Sequence, residues 1–242
     1  MPSIDDRLAQ ITTSKPVSAI SDVIAVMRSL DALLPDGDGL KWFNLLYLKV
    51  TEDVFNNPLA ISWERPGWLE RLDVIFAHLY FSAIANWITD RTKVARSWAA
   101  LLESRNKQGI MRVQFALAGM NAHINHDLPI ALVQTGQEQR VAPRRRTPEY
   151  RDYQRVNAIL DVVQEKVKHH LATGIVGALD RDLGRVDDMI ANWNIRKARE
   201  TAWSNADILW RFTRAPALRI EFLTSLDRLV SLGSHGLLVP VA

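Results

Sequence analysis

The chain contains no cysteine, which excludes disulfides, thiolate metal sites, iron–sulfur clusters and cysteine nucleophiles. A bound metal would have to be held by His, Asp, Glu or backbone oxygen. Glycine and proline are also scarce: 11 and 10 residues among 242 are about 9%, against about 12% in ordinary proteins, which disfavours loop-rich β architectures and disordered chains. Charge of one sign is missing too. A net charge of +3 on a chain this long argues against a dedicated nucleic-acid binder. The first residues, Met1 to Arg7, carry neither a basic start nor an apolar run, so no secretory signal is expected, and a cytoplasmic location is the expectation. The most apolar stretch, Val74 to Ile88, is interrupted by His78, Ser82 and Asn86. It falls short of the ~20 apolar residues of a membrane span and reads as a buried helix. Phosphate loops, dinucleotide fingerprints and a serine between glycines are absent, which removes weight from nucleotide-dependent and serine-hydrolase chemistry.

What is present is helical periodicity. Val17, Ile20, Val23, Ile24, Met27, Leu30 and Leu34 recur at threes and fours, the spacing of an amphipathic helix, which Pro35 to Gly39 stops. Further helices are predicted from about Leu40 to Phe55, Pro66 to Thr89, Thr92 to Ser104 and Ile110 to Asp127. A short apolar piece, Leu128 to Val133, precedes a linker from Gly136 to Arg146. Thr147 and Pro148 then have the form of a cap and first helical residue, opening a helix to about Leu171. The last helices are expected near Val176 to Ala191, Asn194 to Thr213 and Ala217 to Leu232. The fold expected is a single all-α domain, a bundle of about eight to ten helices over residues 1–242, with a flexible basic loop at 136–147. Arg140, Arg144, Arg145 and Arg146 make that loop basic, but without interleaved aromatics it reads as solvated rather than as a nucleic-acid surface.

The most unusual segment is Ala118 to Pro129, AGMNAHINHDLP, which sets polar and titratable residues into an otherwise apolar helix. At about 100° per residue, Val113, Leu117, Met120, Ile124 and Leu128 form a core stripe. His123 and Asp127 share one border, Asn121 and Asn125 with Gln114 the other, and His126 points away toward solvent. A His and a carboxylate four apart can share a hydrogen bond that orients the imidazole, bind a metal jointly, or merely pair. The structural alternative makes His123 a hydrogen-bonded core histidine, Asp127 the cap of a following helix, and the two asparagines ties between helices.

At this segment the sequence resembles a family of bacterial and fungal all-helical proteins, a domain of unknown function, with a box of the form G-M-N-A-H-I-N-x-D-L-P. Phe43 to Thr51, Leu72-Asp73, Phe76-Ala77, Asp152-Tyr153 and Val156-Asn157 carry the resemblance from about Leu40 to Leu171. It implies a helical fold and a shared polar site, and no particular activity. A weaker similarity, on His123 and Asp127 alone, is to the zinc-dependent phospholipase C and single-strand nuclease superfamily; it implies at most one divalent ion on His123, Asp127 and a carboxylate such as Asp73 or Asp152.

Asp73 lies in the apolar third helix, where an unpaired carboxylate is costly, so a partner or a raised pKa is expected. Asn157 lies on the stripe Tyr153, Val156, Leu160, and Asp152 at its edge; for Asp152 the helix dipole alone is sufficient reason. Eight tryptophans suit core packing or an apolar pocket. His169 and His170 read as structural, and Asp180, Asp182, Asp187 and Asp188, interleaved with Arg181 and Arg185, as a solvated face. The expectation is an acid/base enzyme, such as a cyclase, isomerase or lyase, acting without a cofactor on a largely apolar metabolite beside the box helix. In it His123, Asp127 and Asp73 are catalytic, and Asn121, Asn125, Asn157 and Asp152 bind substrate. The alternatives are a metal-dependent hydrolase using His123 and Asp127, and a non-catalytic binding or interaction protein whose polar groups form a structural network. The partner expected is a small molecule, with no nucleic acid and no membrane span.

Overall fold

A computed structural model describes residues 2–14, 16–56, 63–173 and 194–240, the last part of the third segment (162–173) as backbone only. Among the described residues there is no strand. The helices are α1 (Ile4–Thr13), α2 (Ile20–Leu33), α3 (Gly39–Phe55), α4 (Pro66–Thr89), α5 (Arg96–Ser104), α6 (Arg112–Ala122), α7 (Leu128–Gln139), α8 (Pro148–Thr173), α9 (Ile195–Arg211) and α10 (Pro216–Leu237). The all-α bundle expected from the periodicity is what forms. The expected Val176–Ala191 helix and the acidic run Asp180 to Asp188 lie outside the described residues.

α4 is the central helix, apolar on most of its surface, packing on α1 and α7 and contacting α2, α5 and α8. By length and composition it could cross a membrane, but more than half of its most apolar stretch is buried inside the protein. One apolar core joins residues from Leu8 to Leu238. α3 and α6 pack closely against each other, and two glycines permit it. A Cβ at Gly119 would stand 2.3 Å from the Phe43 ring, and one at Gly39 2.3 Å from the ring of Phe115. The glycine that opens the box is thus a contact surface for Phe43.

The chain departs from the sequence reading at four places. A helix, α1, precedes the first one expected; Ser3 and Asp6 form a reciprocal cap at its start, and only Leu8 of it is buried, too thin a stripe to stand out as periodicity. The apolar piece after Asp127 is a full helix, α7, ending at Arg140, whose left-handed φ of 57° breaks it. The linker is therefore shorter than expected, and it joins elements of one core, because α7 packs directly on α9. Within it Arg145 pairs with Glu200 at 2.5 Å, and Thr147 accepts the Tyr150 N–H at 3.2 Å, the cap its position predicts.

The fourth departure shapes the box. Between α6 and α7, His123 to Asp127 form one wide turn in which the Leu128 N–H donates to the His123 carbonyl, five residues back. Pro129 explains it: its ring crowds the carbonyl four residues earlier and it has no N–H to give. A wide turn inserts the equivalent of one residue and rotates the next stretch of helix by about 100°.

Candidate functional site

Asp127 is the hub of the box. The Trp98 indole N–H, from α5, donates to its Oδ2 at 2.8 Å, and His123 Nδ1 lies 3.1 Å from the same oxygen. His126 Nδ1 is 2.7 Å from Oδ1. Asp127 is thus a buried acceptor, with no capping bond to the next helix. His126 does not face solvent as the straight-helix count expects: the wide turn carries it between Asp127 and Asp227 of α10, whose Oδ1 is 3.9 Å from Nε2. Asp227 also accepts the Arg96 and Ser97 N–H groups at the start of α5, at 2.9 and 3.0 Å. Burial pushes the Asp127 carboxyl upward, but hydrogen bonds and charge from the two histidines outweigh it and hold the group below its ordinary value. Burial likewise pulls both imidazoles down. It prevails at His123, whereas Asp127 and Asp227 together raise His126. At His123 the shared carboxylate thus favours the charged form less than burial favours the neutral one, while at His126 it and Asp227 favour the charged form.

His123 is enclosed. Phe76 stacks on its ring at 3.5 Å with 6° between planes, Tyr47 meets it edge-on at 4.6 Å, and its Nε2 is buried with no partner. Asn121 and Asn125 serve the opposite face: the Asn121 amide donates to the Val230 carbonyl (2.8 Å) and Ser234 Oγ (3.0 Å), and Asn125 donates to Asn121 Oδ1 (2.9 Å). Asn121 ties the box to α10, and Asn125 holds Asn121 in place from within the box. Asp152, fully buried, accepts the Glu64 and Arg65 N–H groups at 3.0 and 2.6 Å, capping the start of α4. None of these three lines the apolar cavity described next. Their hydrogen-bonding capacity goes to helix ends and helix crossings, the structural alternative weighed from the sequence.

Asp73 is different. It lines an apolar cavity of about 300 Å3 between α3, α4, α8 and α9, walled by residues including Val50, Trp63, Leu69, Phe76, Val156 and Leu160. Leu128 closes one side of it, so the cavity adjoins the box, while His123 stays behind the Phe76 and Tyr47 rings. Asp73 Oδ2 is sealed from solvent without a partner. Burial, with the charge of Glu70 added, pushes its carboxyl up to about 7, the raised pKa expected of a carboxylate in an apolar helix. Tyr47 and Thr51, one helical turn apart on α3, line the same cavity, and their hydroxyls are buried without a well-formed hydrogen bond. Three of the nine buried side-chain polar atoms that lack a partner among the described residues thus surround this one space.

Asn157 reaches the cavity only indirectly. Its Oδ1 accepts the Arg199 Nε–H at 2.7 Å, and Arg199 lines the cavity. The sequence reading passed over Arg199. A signal was available: Ile195, Arg199, Ala202, Trp203, Ala206 and Leu209 are one buried stripe of α9, with a single arginine in it. The residues expected to converge therefore separate into a closed network around Asp127 and an open cavity holding Asp73, with the aromatic pair Tyr47 and Phe76 between them. Among the described residues no group of three or more His, Asp or Glu side chains is disposed to hold a metal ion.

A family model described as "Family of unknown function (DUF5995)" matches residues 20–240. The chain belongs to that family. The match spans both the box and the cavity, and extends the resemblance seen at Leu40 to Leu171 to the last helix. No curated protein and no solved structure matches the chain, so the similarity to zinc-dependent phospholipases and nucleases gains nothing from these comparisons.

Proposed function

We propose that the protein binds a small, largely apolar molecule in the cavity between α3, α4, α8 and α9, and that Asp73 exchanges a proton with it. The observation that carries this reading is the grouping, around one apolar space, of the unpartnered Asp73 Oδ2 with the Tyr47 and Thr51 hydroxyls, which are buried and have at most each other. Buried polar groups are nearly always paired, and a cluster of exceptions facing a cavity is what a ligand's own polar groups would satisfy. A carboxyl with a pKa of about 7 is present in both protonation states near neutral pH, the condition for general acid and general base work. In this reading His123 and Asp127 hold the wall behind Phe76 rigid and act through it, while Asp73 is the group that meets the ligand.

Titration with the neutral dye Nile red tests the binding claim. Saturable fluorescence enhancement is expected from the wild-type chain, with at least tenfold weaker binding in Val50→Trp, where the indole fills the cavity. Equal binding by both proteins places the dye elsewhere and refutes the reading. The proton claim is read separately, by 13C NMR of labelled aspartate. The Asp73 titration midpoint is expected to move when dye occupies the cavity, and an unmoved midpoint removes Asp73 from the site.

A further inference from the structure

Arg199 is a buried cation with no carboxylate partner among the described residues. It is 8% exposed, and the one charge effect it feels comes from Tyr153. Its Nε donates to Asn157 Oδ1 at 2.7 Å and its Nη2 to the Tyr153 carbonyl at 2.7 Å. The guanidinium lies over the Tyr153 ring with Cζ 3.9 Å from its centre, and the Tyr153 hydroxyl donates to the Arg199 carbonyl at 2.8 Å. These contacts fix the plane of the group and leave Nη1 without a hydrogen-bond partner among the described residues. Elsewhere the protein neutralises its buried arginine: Arg105 has Asp38 at 3.1 Å and Asp5 at 2.7 Å. A cation removed from water and left unpaired is strongly disfavoured. Its neutral hydrogen-bond partners orient it without cancelling its charge.

Arg199 is also the one lysine or arginine among the described residues lining the cavity. We infer that it receives the carboxylate of an amphiphilic ligand, a monocarboxylic acid whose hydrocarbon body fills the apolar cavity. The charge count selects this class: of the two acids among the lining residues, Glu70 is exposed to solvent and Asp73 is held largely protonated. A single fixed cation balances a single negative charge, whereas a phosphate dianion would bring an uncompensated charge into walls of Val50, Leu69, Phe76, Val156 and Leu160. Geometry agrees, since a guanidinium held by Nε and Nη2 still offers N–H groups to a planar carboxylate. Asp73, which lines the same cavity, is compatible because its carboxyl is pushed up to about 7, so that at pH 6.5 the protonated form, which donates to the ligand, prevails.

This inference rests on the cavity reading above, and the experiment separates the two. Calorimetric titrations compare decanoate with decanamide, its uncharged counterpart, at pH 6.5, in the wild type and in Arg199→Gln and Arg199→Lys. Decanoate is expected to bind at least tenfold more tightly than decanamide to the wild type. Arg199→Gln should erase that preference while leaving decanamide affinity within about twofold, and Arg199→Lys should keep part of it. Circular dichroism checks that each variant folds; where Arg199→Gln does not, the wild-type preference and its partial retention in Arg199→Lys carry the test. Equal wild-type affinity for the two compounds overturns the carboxylate inference and leaves the cavity reading standing. Failure of both to bind while Nile red does overturns it as well. Failure of Nile red itself removes the cavity reading beneath it.

Discussion

Replacing Asp73 by asparagine should make the protein more stable, and by an amount that depends on pH. In the unfolded chain Asp73 titrates at its ordinary 3.8, and in the fold at about 7. At about 1.4 kcal/mol per pH unit, that displacement corresponds to about 4 kcal/mol against the ionised side chain, an upper figure because a half-buried group relaxes and admits water. The folded form holds the proton more tightly than the unfolded one, so between pH 4 and 7 wild-type stability falls as pH rises, and above about 7 the whole penalty is present. The asparagine side chain keeps the shape and cannot ionise. Urea unfolding of both proteins at pH 4.5, 6 and 8 should show a small difference at the lowest pH, and a gain of about 2–4 kcal/mol for Asp73→Asn at the highest. A pH-independent difference, or a wild type that is more stable at pH 8, would refute the claim that Asp73 is a half-buried acid whose inner oxygen has no compensating partner. A carboxylate kept at such a cost is the mark of a site rather than of packing.

Other substitutions check the surrounding account. Asn121→Ala, which removes the bonds to the Val230 carbonyl and the Ser234 hydroxyl and leaves Asn125 without its partner, should destabilise by about 1–3 kcal/mol in thermal or urea melts and leave ligand titrations unchanged; an intact melt with lost binding would return Asn121 to the site. Gly119→Ala puts a methyl into the Phe43 ring and should cost about 1–3 kcal/mol or more as α3 and α6 are forced apart. Trp98→Phe removes a hydrogen bond to a charged acceptor and should cost about 1.5–3 kcal/mol. In an NMR titration His126 should protonate above the ordinary histidine range and His123 below it. The His126 contribution to stability is then complete below pH 6.5 and lost as pH rises through its folded value. His123 acts in the opposite direction, because the unfolded chain takes up its proton first as pH falls below 6.5. Both histidines titrating together would contradict the opposite shifts assigned to the two partners of Asp127.

Much of the bundle was legible because three-and-four spacing reports which face a helix buries: α4 begins and ends where Pro66 and the polar turn after Thr89 say it should. The box showed where this reasoning stops. A count at 100° per residue assumes a straight helix, and Pro129 makes the turn before it wide, so His126 appeared exposed when it is clasped between two aspartates. Asp73 was identified from an energetic argument, a carboxylate in an apolar stripe, which does not depend on knowing its neighbours. Asn121, Asn125 and Asp152 answered to the same polar-in-apolar signal, yet each found a backbone or side-chain partner on a distant element or in the box itself. That pairing is a property of the packing between helices and leaves no trace in local spacing. Arg199 obeyed the signal too, from a helix otherwise read as mere core.

The central claim is that the cavity holding Asp73 and Arg199 is the ligand site and that its ligand is an amphiphilic monocarboxylate. A crystal structure of the chain soaked with ω-bromodecanoate tests it most directly, because anomalous scattering locates the tail independently of refinement. The account predicts bromine between Val50, Leu69 and Val156, with the carboxylate within hydrogen-bonding distance of Arg199. Bromine at any other place, with this cavity free of it, would contradict the account.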